Sequence, residues 1–145
     1  LYAAEMQWPG RQPLSPVHVY LDVSGSIGNL QAALYGAVLD CRRSVHHRIH
    51  LFSTRVHDVT LDELRRGVCH STGGTSIECV AAHMSAHKVR RAVVITDGFV
   101  GAPGITARQT LIGVRLGVAL TPGLSHRQDL EGCVNHWTQL QGEPA

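Results

Sequence analysis

Between Val17 and Val23 the chain reads VHVYLDV, a β-branched and aromatic run of strand length that follows a segment punctuated by Pro9, Pro13 and Pro16. A first strand is predicted there. From Asn29 onward, Leu30, Leu34, Val38 and Cys41 recur at helical spacing with Ala33 and Ala37 beside them, which is one face of a helix. The opening unit is therefore strand, tight Gly/Ser turn, helix. In RIHLFSTRVHDVTL, two short alternating runs are separated only by the residues around Ser53-Thr54-Arg55. A parallel neighbour needs a crossover of about a dozen residues or more, so the pair is predicted to be an antiparallel hairpin with its second strand at an edge.

The pattern then turns helical. TLDELRRG predicts a short helix ended by Gly67, and Ile77, Val80, Ala81 and Met84 stand at helical spacing after a Gly-rich loop. Ala92 to Thr96 is dense in β-branched residues and ends in Asp97-Gly98, which predicts a strand. TLIGVRLGVAL reads as a further buried strand that Gly113 and Gly117 weaken, and GFVGAPGITARQ before it is short for a crossover helix. Ser125 and Gln128 have capping-box spacing ahead of Leu130, Cys133, Val134, Trp137 and Leu140, so an amphipathic closing helix is predicted. Alternating strands and helices predict an α/β fold with a mainly parallel sheet covered on both faces, and ligands of such sheets bind beyond the carboxyl ends of the strands.

Composition narrows this further. A length of 145 residues suits one domain, and 43% hydrophobic against 17% charged residues marks a folded, soluble protein. The net charge is +2, and the Arg pairs at 42–43, 65–66 and 90–91 are scattered without interleaved aromatics, which argues against a nucleic-acid surface. No apolar run approaches the ~20 residues of a membrane span. The cysteines at 41, 69, 79 and 133 form no C-x-x-C pair, so reduced thiols and a cytoplasmic location are expected. The chain opens without Met, and a single domain with an N-terminal extension over 1–15, cut from a longer polypeptide, is the expectation.

The candidate chemistry gathers at one sheet edge. Asp22-Val23-Ser24-Gly25-Ser26 follows the first strand, Gly73-Gly74-Thr75 precedes a helix, and Thr96-Asp97-Gly98 ends a central strand. Carboxylates and hydroxyls converging from separate loops suit a hard cation: Mg²⁺ takes about six oxygen ligands and keeps some waters. Two aspartates balance the ion's charge and leave it electrophilic toward a further carboxylate.

D-x-S-x-S, Gly-Gly-Thr and Thr-Asp-Gly, in that order, resemble the metal-ion-dependent adhesion site of von Willebrand factor type A domains, over roughly Pro16 to Leu140. The resemblance implies a Rossmann-like, doubly wound, six-stranded sheet with one short antiparallel edge strand. It implies Mg²⁺ or Mn²⁺ held by Ser24 and Ser26, by Thr75 directly or through water, and by Asp22 and Asp97 partly through water. A partner protein's Glu or Asp completes the shell, across a rim of Gly25, Ile27, Gly74, Ser76, Gly98 and Phe99. The implied role is metal-bridged protein binding and not catalysis. Within the family the chain looks more like the intracellular bacterial branch, found in metallopeptidase-like proteins and near MoxR-type AAA+ ATPases, than the extracellular modules. Ile27 stands where Met is common, and Ser76 where an acidic residue is frequent.

Blander readings stand beside these. Thr75 through Glu78 fits a capping box, in which either Thr75 or Ser76 caps the helix. Asp22 and Asp97 could be anions held by amide-rich turns. His83 and His87 have the spacing of a helix-borne ligand pair, and Cys69, His70, Cys79 and His83 are a possible zinc set of unfamiliar spacing. His46, His47, His50 and His57 read as strand-surface residues. A phosphohydrolase resembling the haloacid dehalogenases, with Asp22 as nucleophile, would want a second acid where Ser24 stands. A metal-free interaction scaffold is the third class.

Overall fold

A computed structural model describes residues 16–142; the proposed extension over 1–15 lies outside them. Six strands form one sheet in the order β3-β2-β1-β4-β5-β6. The strands are β1 (His18–Asp22), β2 (Arg48–Phe52), β3 (Val56–Thr60), β4 (Arg91–Thr96), β5 (Arg115–Leu120) and β6 (His136–Gln139). All neighbours pair in parallel except β2 and β3, the predicted hairpin, whose second strand is at the edge.

The helices are α1 (Gln31–Asp40), α2 (Leu61–Arg65), α3 (Ile77–Ala86) and α4 (Ile105–Ile112). A 3₁₀ turn over Gly28–Leu30 leads into α1. Helix α2 opens on a full capping box between Thr60 and Glu63, and Gly67 follows its end at φ +78°, a conformation that costs glycine little. The strand period of two sends alternate side chains to two cores. Val19, Leu21, Ile49 and Leu51 pack with Leu34 and Val38 of α1 and Leu64 of α2. On the other face Tyr20, Phe52, Val94 and Val118 pack with Val80 and Met84 of α3 and Leu111 of α4. Burial on both faces is why these strands read as nearly continuous apolar runs.

Two expectations fail near the C-terminal end. The residues Thr110 to Ile112 belong to α4, and the strand begins only at Arg115, so the short GFVGAPGITARQ segment borrows its last helical turn from the run read as strand. The closing helix does not form. Gln128–Leu130 makes a 3₁₀ turn, Gly132 takes φ +82°, and His136–Gln139 becomes β6. The physical reason is the open edge of β5, whose buried amides and carbonyls need partners. Asn135 accepts from Leu116 N at 2.8 Å through its side chain and donates its own N–H to Leu116 O at 2.8 Å, which starts the ladder. Leu130, Cys133, Val134 and Trp137 still reach the α3/α4 core, from a turn and a strand. Leu140 packs instead on the opposite core, so four of the five apolar positions share the predicted face while the backbone differs.

Candidate metal centre

Asp22 is the last residue of β1, at the point where the strand order reverses between β2 and β4. The chain turns sharply after it: Ser24 N donates to Asp22 Oδ1 at 2.8 Å, and Ile27 N donates to Ser24 O at 3.1 Å. This is a side-chain-closed turn of the kind Asp favours. The Gly-rich loop is tied to it by Gly25 N donating to Gly73 O at 2.9 Å.

The five predicted ligands all come together. Thr75 Oγ1 donates to Asp22 Oδ1 at 3.3 Å. Ser26 Oγ donates to Asp97 Oδ2 at 2.7 Å and lies 3.2 Å from Ser24 Oγ. Asp97 Oδ1 accepts from Phe99 N at 3.1 Å. A sixth residue joins them: Thr96 Oγ1 donates to Asp22 Oδ2 at 2.6 Å and accepts from Gly98 N at 3.1 Å. Thr96 was legible only as part of the Thr-Asp-Gly motif; its signal is a hydroxyl closing an otherwise apolar strand.

Asp22 and Thr96 are wholly buried, Ser24 and Asp97 are nearly so, and Ser26 is exposed at the open side. Burial pushes the Asp22 carboxyl above its ordinary value. Hydrogen bonds from Ser24 and Thr96 oppose the shift, and the Asp97 charge adds to it. Among the described residues neither aspartate has an ion-pair partner. Two buried carboxylates in one hydroxyl network without a cation are costly, a cost that protonation of Asp22 or a bound cation would relieve.

Ser76 settles the capping alternative. Its Oγ accepts from Glu78 N at 3.2 Å at the start of α3, which leaves the Thr75 hydroxyl free to face Asp22. Ser76→Ala is expected to lower stability by about 1 kcal/mol in urea denaturation while leaving metal affinity unchanged; a loss of metal affinity with stability intact would reverse that division of labour.

The predicted rim divides. Gly25, Gly74 and Phe99 are exposed, and Ser76 is half-buried. The Phe99 ring stacks on His126 with centroids 4.7 Å apart. Ile27 departs from the expectation, since its apolar side chain is buried among the α1 core residues. Gly98 departs too. It has φ +92°, and a Cβ there would lie 1.7 Å from His126 O, because the backbone of His126 closes over it through a bond to Asp97 O.

A second polar cluster lies on the α3 face of the sheet. His50 Nδ1 is 2.6 Å from Asp58 Oδ1, and His83 Nε2 is 3.0 Å from the same oxygen. His50 Nε2 meets His18 Nδ1 at 2.9 Å, and Tyr20 Oη meets His83 Nδ1 at 2.7 Å. The His46 ring stacks on His18, and the His87 ring lies beside His83. Burial pushes His50 down to about 4 against the pull of Asp58, and burial with neighbouring imidazoles brings His18 to about 4. His50 is thus a buried residue and not the strand-surface one expected. The zinc set of Cys69, His70, Cys79 and His83 does not assemble. Cys79 Sγ points to the carbonyls of Ser53 and Ser76, His70 lies against His57, and His83 joins Asp58.

The chain matches no protein-family model and no curated protein.

Proposed function

We propose that this chain is a von Willebrand factor type A-like domain that binds Mg²⁺ or Mn²⁺ and uses the ion to recognise a Glu or Asp side chain on a partner protein. One observation carries the reading: the Asp22 carboxylate at the end of β1 accepts from the hydroxyls of Thr75 and Thr96, the Asp97 carboxylate just past β4 accepts from Ser26, Ser24 and Ser26 link the two groups, and among the described residues no side-chain cation pairs with either aspartate. A serine or threonine that gives its proton to a carboxylate keeps lone pairs for a metal. Ser24, Ser26 and Thr75 would hold the ion, and Asp22 and Asp97 would orient those hydroxyls and balance the charge.

The same geometry disfavours a phosphohydrolase. Both oxygens of Asp22 are engaged and the residue is wholly buried, whereas a nucleophile must reach phosphorus. The domain is therefore read as a binding module. Resemblance to the intracellular bacterial branch extends the proposal to a cytoplasmic role beside a MoxR-type AAA+ ATPase. Among the described residues no helix is long and apolar enough to cross a membrane.

Peptide arrays test the recognition step directly. Retention of Glu- and Asp-bearing peptides is expected in Mg²⁺, with release by EDTA and no retention of their Gln and Asn counterparts. Equal retention of the amide peptides in chelator would overturn the reading in favour of a metal-free scaffold.

A further inference from the structure

We infer that His50, Asp58 and His83 form a second metal site, for Zn²⁺ or a similar borderline transition ion, separate from the oxygen-rich centre at Asp22. The three ligands come from three elements that the fold fixes relative to one another. His50 and Asp58 are directly opposed in the β2/β3 register, and so lie on the same face of an antiparallel pair. His83 is presented to that face from α3.

Their ligand atoms already converge. His50 Nδ1 and His83 Nε2 both approach Asp58 Oδ1, at 2.6 and 3.0 Å, and all three ligand atoms lie within 4.8 Å of one another. Zn²⁺ bonds of about 2.0–2.2 Å in a tetrahedron put neighbouring donors roughly 3.3 Å apart, so from 3.0 Å the His83–Asp58 pair would part by about 0.3 Å and from 2.6 Å the His50–Asp58 pair by about 0.7 Å. Two imidazoles and one carboxylate are a ligand set of open zinc sites. The side chains of His50, Asp58 and His83 are 3%, 30% and 12% exposed, so the carboxylate edge gives solvent access to a fourth position.

The outer partners are the independent support. A metal-bound imidazole commonly has its second nitrogen engaged in a hydrogen bond that fixes ring orientation. Here His50 has its Nε2 on His18 and His83 has its Nδ1 on Tyr20 Oη. Both ligand rings are thus held from behind with the nitrogen facing Asp58 turned inward. A second grouping, His18, His46 and His50, uses the other nitrogen of His50 and offers no carboxylate to offset the ion's charge.

The test is Zn²⁺ titration of the chelator-stripped chain in competition with a chromophoric chelator, alongside Co²⁺ absorption. Expected is one tight Zn²⁺ per chain and the intense visible bands of four-coordinate Co²⁺ in the unmodified protein. Asp58→Asn and His83→Ala should each weaken Zn²⁺ by more than about 100-fold, and Tyr20→Phe by roughly 10–100-fold, the range for outer partners. His46→Ala and Asp22→Ala should leave Zn²⁺ affinity unchanged, the latter separating this site from the Mg²⁺ reading. Absence of tight stoichiometric binding in the unmodified chain overturns the inference, whatever the variants' folding. So does undiminished affinity in folded Asp58→Asn, or a loss confined to His46→Ala.

Discussion

Replacing Asp22 with alanine is expected to abolish saturable Mg²⁺ and Mn²⁺ binding in calorimetry, and with it the metal's stabilisation of the fold. A ligand at 100 times its Kd stabilises by about 2.7 kcal/mol, worth roughly 10 °C in thermal unfolding of a domain this size. The effect is large because Asp22 organises the network: it accepts from Ser24 N, Thr75 Oγ1 and Thr96 Oγ1, and so sets where three loops meet. Without metal, two consequences of the substitution oppose one another. Three donors lose an acceptor, but a buried carboxylate with no counter-charge is also removed. The difference between the two proteins should therefore be greatest when metal is present. An Asp22→Ala protein that keeps the full thermal shift, or an unmodified protein with none, would reject the centre.

The second large effect is acid destabilisation of the metal-free protein. His50 sits at about 4 in the fold against an ordinary value of 6.5. The unfolded chain therefore binds more protons between those values, and stability present above pH 6.5 is lost as pH falls toward about 4. For His50 the loss amounts to about 3 kcal/mol. His18 acts with the same sign, and its exposure to solvent discounts its share. The groups facing His50 are His18 and Tyr20 of β1, Asp58 of β3, and His83 of α3, with His46 and His87 stacked outside them. Asp22 works the other way, because burial raises its carboxyl and favours the fold as pH falls. Urea denaturation of the protein and of His50→Gln in EDTA, from about pH 7 to about pH 4.5, separates the two. A flatter profile is expected for the variant, and coincident profiles would show that His50 does not carry the effect.

Which residues gather at the sheet edge was answerable from spacing, because the edge is built from strand ends. A run of β-branched residues followed by Asp, Ser and Gly states both where the strand stops and what stands there, and Asp22 and Asp97 follow that rule. Thr75 was ambiguous because Thr75 and Ser76 each have a hydroxyl suited to an N-cap. Only the backbone at Ser76, extended at φ −151° with its side chain on Glu78 N, decides between them. Ile27 and Gly98 were misplaced on the rim for one shared reason: adjacency in sequence to a ligand says nothing about what covers a residue. Ile27 is covered by the α1 core and Gly98 by the loop carrying His126.

The histidines mark the limit most clearly. His18, His50, Asp58 and His83 lie up to 65 positions apart and share no motif. Strand register and the placement of α3 bring them together. The C-terminal segment shows the same limit in the backbone, since its apolar spacing fits a helix and the unpaired edge of β5 takes it as a strand.

The sequence by itself determined the α/β alternation, the antiparallel hairpin and the gathering of Asp22, Ser24, Ser26, Thr75 and Asp97 at one end of the sheet. All of these follow from local periodicity and turn chemistry. Tertiary structure alone decided that the sixth strand is His136–Gln139, the Thr96 clamp on Asp22, the covering of Ile27 and Gly98, and the histidine cluster. Each depends on which distant segment packs alongside, and backbone groups on a buried sheet must find partners wherever the fold supplies them.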